Sequence, residues 1–441
     1  MVRCVSAKLG QMISRQRLEH LVAEHGGNYR DRIYPPLVTL SLFVEQVISV
    51  DQACQDAVGR ALSQRTTLGQ ARCSLNTGPY CKARRRLALP LVERVAREVA
   101  ARMESQAQAS WKWRGRTVKL IDGTTVSMPD TAANQDAFPQ NHEQKPGLGF
   151  PLARIVGIIS LATGGILESA TSACEGAGSA EIMQFGALLN TLATGEVIIG
   201  DRAYSSYFML AELGARGVDA VFREHQCRKN DPRGAQRLGR HDHLITWNKP
   251  ERPRWMDEAT YAAMPEQLTV REVKDGDWSI VTTLTDPRHV TREEILWLYR
   301  QRWNIELDFR AIKSVMQMDV LRCKTPAMVK KEIAAHLMGY NLIRAAMVQA
   351  ARGCALLPRQ LSFAAARRAF ARYQECIRHR PAIHLTDEIE RLLAAIAAWR
   401  IPCRPNRVEP RAVKRRPKPH PLLTVPRHVA RLRLLRQRAH A

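Results

Sequence analysis

Three carboxylates and one basic stripe are the residues of this chain whose types and spacing could do chemistry. Asp122 follows the β-rich run Thr117-Val118-Lys119-Leu120-Ile121, and Asp201 follows Glu196-Val197-Ile198-Ile199-Gly200. Each run reads as a strand, so each Asp is placed at a strand end, where sites on open sheets gather. Each adjoins a glycine, which permits close backbone approach. The third carboxylate, Glu306, lies in a helical stretch. At about 100° per residue with Tyr299 at zero, Arg302 falls at about −60°, Glu306 at about −20°, Lys313 at about −40° and Arg310 at about +20°. Leu298, Ile305, Phe309, Ile312 and Met316 form a separate apolar stripe suited to packing on a sheet. Asp308 falls on the far side, where it is expected to be solvated or ion-paired.

Taken singly, each feature has an ordinary explanation. A strand-end Asp commonly shapes a turn, and Glu306 with Arg302 or Arg310 is an i,i+4 salt bridge that contributes only tenths of a kcal/mol. The combination asks for more. Bringing two carboxylates to about 4 Å costs roughly 4 kcal/mol at an effective dielectric of about 20. Hard divalent cations offset that cost, since Mg²⁺ prefers carboxylate and water oxygens. A pair of such ions can activate a hydroxyl and stabilise the leaving oxygen in phosphodiester cleavage.

The charge balance points to the same substrate. The 441 residues carry a formal charge of +25 and a pI near 10.2, with ordinary globular usage of 45% hydrophobic and 25% charged residues. A polyanionic partner follows, nucleic acid before an anionic membrane. No run approaches the roughly 20 apolar residues of a membrane span, and the N-terminus lacks the apolar core of a signal peptide. The expected location is therefore the cytoplasm, in association with the nucleoid, with no membrane partner. Ten cysteines are scattered without a CxxC pair, and the thirteen histidines form no HxxxH pattern, which argues against a zinc module or a disulfide framework.

The elements that must position these residues can be read along the chain. Residues 1–110 are expected to be a helical DNA-binding region, with apolar helical periodicity from Leu37 to Ile48 and from Leu91 to Met103. Between them Lys82, Arg84, Arg85 and Arg86 form a basic cluster that suits DNA contact or a solvated helix face equally. From 111 to 223 the pattern is strand, hairpin, strand, helix, strand. The hairpin joins runs 153–161 and 166–173 through Ala162-Thr163-Gly164-Gly165. The result is a mixed five-stranded sheet with helical cover. Residues 224–290 break that rhythm with prolines, three tryptophans (Trp247, Trp255, Trp278) and a hairpin across Lys274-Asp275-Gly276-Asp277, and read as a β-rich insertion. Thr291-Arg292-Glu293-Glu294 is a capping box that starts a helix expected to reach about Met316. Helices are expected again to 352 and over 353–400. Residues 401–441 hold twelve Lys plus Arg and one acid, a basic tail expected to be disordered alone and to contact DNA.

At this point the spacing resembles a known family. Tyr299, Arg302, Glu306 and Lys313 have the spacing of the Y-R-E-K signature of bacterial DDE transposases of insertion sequence family four. Leu120-Ile121-Asp122-Gly123-Thr124-Thr125 resembles the family's first Asp segment, and Ile199-Gly200-Asp201-Arg202-Ala203-Tyr204 its second. Met128-Pro129-Asp130-Thr131 and Phe138-Pro139-Gln140 resemble segments that follow the first. The resemblance spans roughly 30–350. It implies an α/β fold with an RNase H-like catalytic core interrupted by a β-strand insertion before the Glu helix. It makes Asp122, Asp201 and Glu306 ligands of two Mg²⁺ ions, with Mn²⁺ as a substitute. It assigns Tyr299, Arg302 and Lys313, with Arg310 beside them, to transposon-end DNA. The family stacks a flipped base on a tryptophan of the insertion, and Trp278 is the candidate here; a packed strand aromatic is the plain alternative. The implied activity is excision of an insertion sequence at its inverted repeats, through hairpin ends, and strand transfer into target DNA by a homodimer. The competing readings are an RNase H-like nuclease that does not join strands, an inactive DNA-binding copy, and a metal hydrolase unrelated to DNA.

Overall fold

The computed structural model describes residues 9–439 apart from 11, 30–31, 177–179, 227, 229–233, 277, 379–384 and 403–421. After a few helical residues between 9 and 12, the described N-terminal region holds helices α1 (Arg15–His25), α2 (Pro36–Ile48), α3 (Cys54–Thr67), α4 (Gly78–Arg86) and α5 (Leu89–Glu104). The two periodic runs read from the sequence are α2 and α5. Strand β1 (Val118–Ser127) and helix α6 (Ala132–Ala137) follow, then the hairpin β2 (Leu152–Ser160) and β3 (Ile166–Ala173). Next come α7 (Glu181–Leu188), β4 (Val197–Gly200), α8 (Tyr207–Ala215) and β5 (Asp219–Arg223). β2 is antiparallel to β1, whereas β4 and β5 run parallel to it, in the order β3-β2-β1-β4-β5. This is the RNase H-like arrangement, and its strands alternate as burial on two faces requires. Leu120, Ile155 and Ile199 point into one core with the long C-terminal helices, and Ile121, Val156 and Ile198 into the other with α7 and α8.

The insertion contributes β6 (Gln236–Gly239), β7 (Asp242–Asn248), α9 (Glu258–Ala263), β8 (Gln267–Asp275) and β9 (Trp278–Thr282). It does not fold apart from the core. β9 pairs antiparallel with β5, so the described sheet runs on to nine strands, ending β5-β9-β8-β7-β6. Trp247, Met256 and Val270 share the core of α7 and α8, and the buried Arg271 pairs with Asp242 across β8 and β7. Trp255, by contrast, is exposed.

Thr291 caps α10 (Arg292–Arg300) with the full capping box. The single helix expected to Met316 is in fact three pieces. A turn at 301–302 separates α10 from α11 (Trp303–Arg310), and a π-helical turn covers Ala311–Val315. At the first break the Asn304 amide donates to the Gln301 carbonyl at 2.9 Å, a local bond that competes with the helix ladder. At the second, Gln52 donates to the Met316 carbonyl at 2.7 Å and Arg367 to that of Val315, which satisfies oxygens that a π turn leaves free.

Helices α12 (Pro326–Gly353), α13 (Phe363–Arg378) and α14 (Leu385–Ala398) follow, with α12 packed against α2, α5, α13 and α14. Residues 403–421 of the basic tail lie outside the described residues. Its described end forms α15 (Arg427–Ala439), where leucines and arginines at helical spacing are compatible with a helix. No helix among the described residues is long and apolar enough to cross a membrane.

Candidate active site

Asp122 is not at a strand end as expected. β1 continues five residues beyond it, because β2 keeps pairing along its whole length, with Asp122 opposite Gly157. The parallel neighbour β4 stops earlier: its last partner on β1 is Leu120, opposite Ile199. From there to Ser127, where a parallel bridge to Val320 closes it again, that edge of β1 is open among the described residues, and Asp122 lies at this opening. Asp201 follows β4 directly. Its carboxylate accepts from the Ala203 N–H at 2.8 Å and so caps the short 3₁₀ turn Arg202–Tyr204. The end of β4, rather than that of β1, therefore brings the two acids near one another, close enough for Asp201 to repel the Asp122 carboxylate.

Glu306 arrives on α11, which packs on β1 through Ile305 and Phe309. Arg302, placed by the turn that precedes α11, joins the two elements. Its guanidinium donates to Glu306 at 2.6 Å and to Asp122 at 3.4 Å. A cation thus already spans two carboxylates that lie 184 positions apart in the chain (306 − 122). Burial pushes the Asp122 carboxyl up to about 6, with Asp201 and Glu181 adding repulsion, against the Gly123 N–H and Arg302. Arg302 is lowered by its own burial, but Glu306, Tyr299 and Asp122 together carry it above its usual value.

Glu181 is a fourth carboxylate that sequence reading did not find. It begins α7 and fills the space over Gly123: a Cβ built on Gly123 would lie 2.5 Å from its Oε1. The Tyr204 hydroxyl donates to it at 3.4 Å, and Arg154 lies 3.7 Å away. Burial, with Asp201 adding, raises its carboxyl above the usual range against Arg154. No local signal marks it, since it is the lone charged residue of its helix.

Tyr299 is buried, with its ring edge-on to Trp278 at 6.1 Å between centroids. Trp278 is 45% exposed and carries the Arg223 guanidinium 5.6 Å from its ring centre. Lys313 is half-buried and Arg310 exposed; the π turn re-phases Lys313 relative to Glu306, so an ideal helical wheel does not describe it. Trp303, next to Arg302, is an exposed aromatic that the stripe did not include.

The N-terminal basic cluster divides. Lys82, Arg85 and Arg86 are exposed on α4. Arg84 is a correction, because it turns inward and is buried. It donates to Gln46 at 3.3 Å and to the Cys54 sulfur at 3.2 Å, with its guanidinium 4.8 Å from the Phe43 ring centre. On a helix, consecutive residues face different ways, so a basic run cannot all meet one partner. Asp308, expected solvated or ion-paired, is ion-paired and wholly buried.

Among the described residues no three His, Cys, Asp or Glu groups converge closely enough to hold a metal ion as they stand. The donor set nevertheless fits divalent cations in chemistry: hard oxygen ligands, an Asp122 carboxyl raised chiefly by burial with Asp201 and Glu181 adding repulsion, and a guanidinium occupying the space between two of the carboxylates.

Comparison with known proteins identifies the family. A family model described as the transposase DDE domain matches residues 113–342. The transposase InsG for insertion sequence element IS4 of Escherichia coli strain K12 is 27% identical over 348 residues, covering 77% of each chain. The transposase for insertion sequence element IS421 of Escherichia coli is 38% identical over 68 residues, 15% of this chain and 18% of that protein. Among solved structures, the piggyBac transposase synaptic complex with hairpin DNA matches with a TM-score of 0.47 and 10% identity over 88% of this chain and 85% of that one. The chain belongs to the DDE transposases, enzymes of DNA cleavage and strand transfer, in the branch of insertion sequence family four.

Proposed function

We propose that this transposase binds the inverted-repeat ends of its own insertion sequence, excises it and joins it to target DNA from one catalytic crevice. The observation that carries the reading is the Arg302 guanidinium held between Asp122 and Glu306 beside Asp201, at the edge of β1 that β4 leaves open. Asp122, Asp201 and Glu306 would hold a pair of Mg²⁺ ions, or Mn²⁺ in their place, which supply activation of the attacking hydroxyl and neutralisation of phosphate charge.

The chain's own residues account for the rest. Loading the acids requires Arg302 to leave Asp122 and Glu306, and a DNA phosphate is the partner that a freed guanidinium fits best. Lys313 and Arg310 continue the positive surface along the backbone, and the Tyr299 hydroxyl adds a donor. Trp278, half-exposed and braced by Tyr299, offers a face on which a flipped base stacks. Lys82, Arg85 and Arg86 form a second positive patch on the helical N-terminal region.

Each step is an in-line displacement at phosphorus and needs no covalent intermediate on the protein. Water cuts one strand at the transposon end, and the freed 3′-hydroxyl attacks the opposite strand to give a hairpin. Water opens the hairpin, and the regenerated 3′-hydroxyl attacks target DNA. A homodimer would hold the two ends together. The domains are proposed as 1–110, a core of 111–223 with 291–352, the insertion 224–290, a helical region 353–400 and the tail 401–441.

The test uses full-length protein, DNA carrying the inverted repeats that flank its gene, and Mg²⁺ or Mn²⁺. Wild type should cut at the repeat ends and form joined products, whereas Glu306→Gln should bind the same DNA without cutting. Cutting by the variant removes Glu306 from the site. Cutting by wild type without joined products favours a nuclease.

A further inference from the structure

Asp308 lies two residues beyond Glu306 and has no part in the chemistry above, yet its side chain is 0% exposed. Burying a carboxylate is costly unless it is paired, and this one is paired twice. Arg344 of α12 donates to Oδ1, and Arg359 donates to Oδ2 at 3.0 Å and to Oδ1 at 3.3 Å. The Tyr340 hydroxyl lies 3.0 Å from Oδ1 and accepts from Arg344 at 2.8 Å. Arg359 also donates to the carbonyls of Leu161 at 2.6 Å and Ser160 at 3.0 Å, where β2 turns into β3. Gly164 of the same turn has φ +72° and faces the Arg344 guanidinium, which a Cβ there would meet at 2.9 Å.

We propose that Asp308 and Arg359 are positioning residues that set the direction of Glu306; the inference rests on Glu306 being a catalytic ligand. Two residues apart on a helix project about 200° from one another, so fixing Asp308 fixes the rotation of α11 about its axis and hence where Glu306 points. The helix needs such a fix. It is eight residues long, preceded by the turn at 301–302 and followed by the π turn, so neither neighbour carries its ladder continuously. The anchor holds α11 to the β2–β3 turn. β2 is also the strand paired with Asp122, so one brace relates Glu306 to the strand of Asp122. Arg359 belongs to the helical region 353–400, outside the matched transposase domain, which gives that region a part in the active site.

Arg359→Met isolates this role. It leaves the balanced Asp308–Arg344 pair in place, so the fold is kept while one of the two clamps on α11 is lost. In full-length protein on end DNA, the thermal midpoint should stay within a few degrees and the Kd for DNA within about twofold of wild type. The first nick in the preformed complex should slow by about tenfold or more. Mn²⁺ affinity of that complex, counted by electron paramagnetic resonance, should weaken about threefold or more. Arg359→Lys should recover part of both losses, because it restores the charge and a carbonyl contact. Wild-type nicking and Mn²⁺ affinity in folded Arg359→Met would overturn the inference. So would parallel loss of stability, DNA binding and nicking without rescue by Lys, which describes a plain structural brace. Glu306→Gln runs alongside: if it too keeps wild-type nicking and Mn²⁺ affinity, the fault lies with the reading of Glu306 and not with the brace.

Discussion

Replacing Asp122 with Asn should make the protein more stable while removing its activity. The side chain is 18% exposed, and burial with Asp201 and Glu181 nearby moves its carboxyl from 3.8 to about 6. The folded value is raised above the unfolded one, so folding disfavours the ionised form. That penalty is fully present above about pH 6, fades as pH falls through 6, and is gone below about 3.8. At about 1.4 kcal/mol per pH unit it amounts to roughly 3 kcal/mol at pH 8, order of magnitude, and about a third of that at pH 4.5. Asn keeps the shape and the acceptor for the Gly123 N–H, and Arg302 retains Glu306. Urea denaturation in chelator, followed by circular dichroism at several pH values, measures the gap between variant and wild type. A variant no more stable than wild type at pH 8, or a gap that does not shrink on acidification, would refute the electrostatic account. Mg²⁺ should narrow the gap at pH 8 by stabilising wild type alone.

Three further outcomes are expected. Lys313→Ala should weaken end binding and reduce the slope of log K against log salt by about 0.9, the value of one phosphate contact; an unchanged slope places Lys313 off the DNA. Trp278→Ala should impair hairpin formation more than the first nick in a gel assay of the two products, whereas equal loss marks it as a packing partner of Tyr299. Arg84→Ala should destabilise the protein by about 2–3 kcal/mol in a urea melt, since it strips buried partners, while Arg86→Ala should leave the melt unchanged and weaken DNA binding in a salt-dependent way. The reverse pattern would return Arg84 to the DNA surface.

The identities of the candidate acids were legible from local pattern alone. β-rich runs place Asp122 and Asp201 beside strands, and a period of 3.6 places Glu306 on the rim of an apolar stripe whose Leu298, Ile305, Phe309, Ile312 and Met316 are all buried. The capping box at Thr291, the β2–β3 hairpin and the β8–β9 hairpin are local too, and all three are present. Such features depend on neighbours within a few residues, so a single sequence carries them. The remainder depends on partners far along the chain. β1 outruns its expected end because β2 pairs with it, the insertion joins the main sheet because β9 meets β5, and the helix of Glu306 gives way to a π turn where Gln52 and Arg367 claim its carbonyls. Arg84 and Asp308 carry full charges, which a sequence places on the surface by default. Tertiary structure buries them because Gln46 and Phe43 receive the one, and Arg344 with Arg359 balances the other. Glu181 reaches the crevice only because Gly123, 58 positions earlier, has no side chain to exclude it (181 − 123). The sequence determined which groups are available for chemistry; the packing of distant segments decided which of them meet.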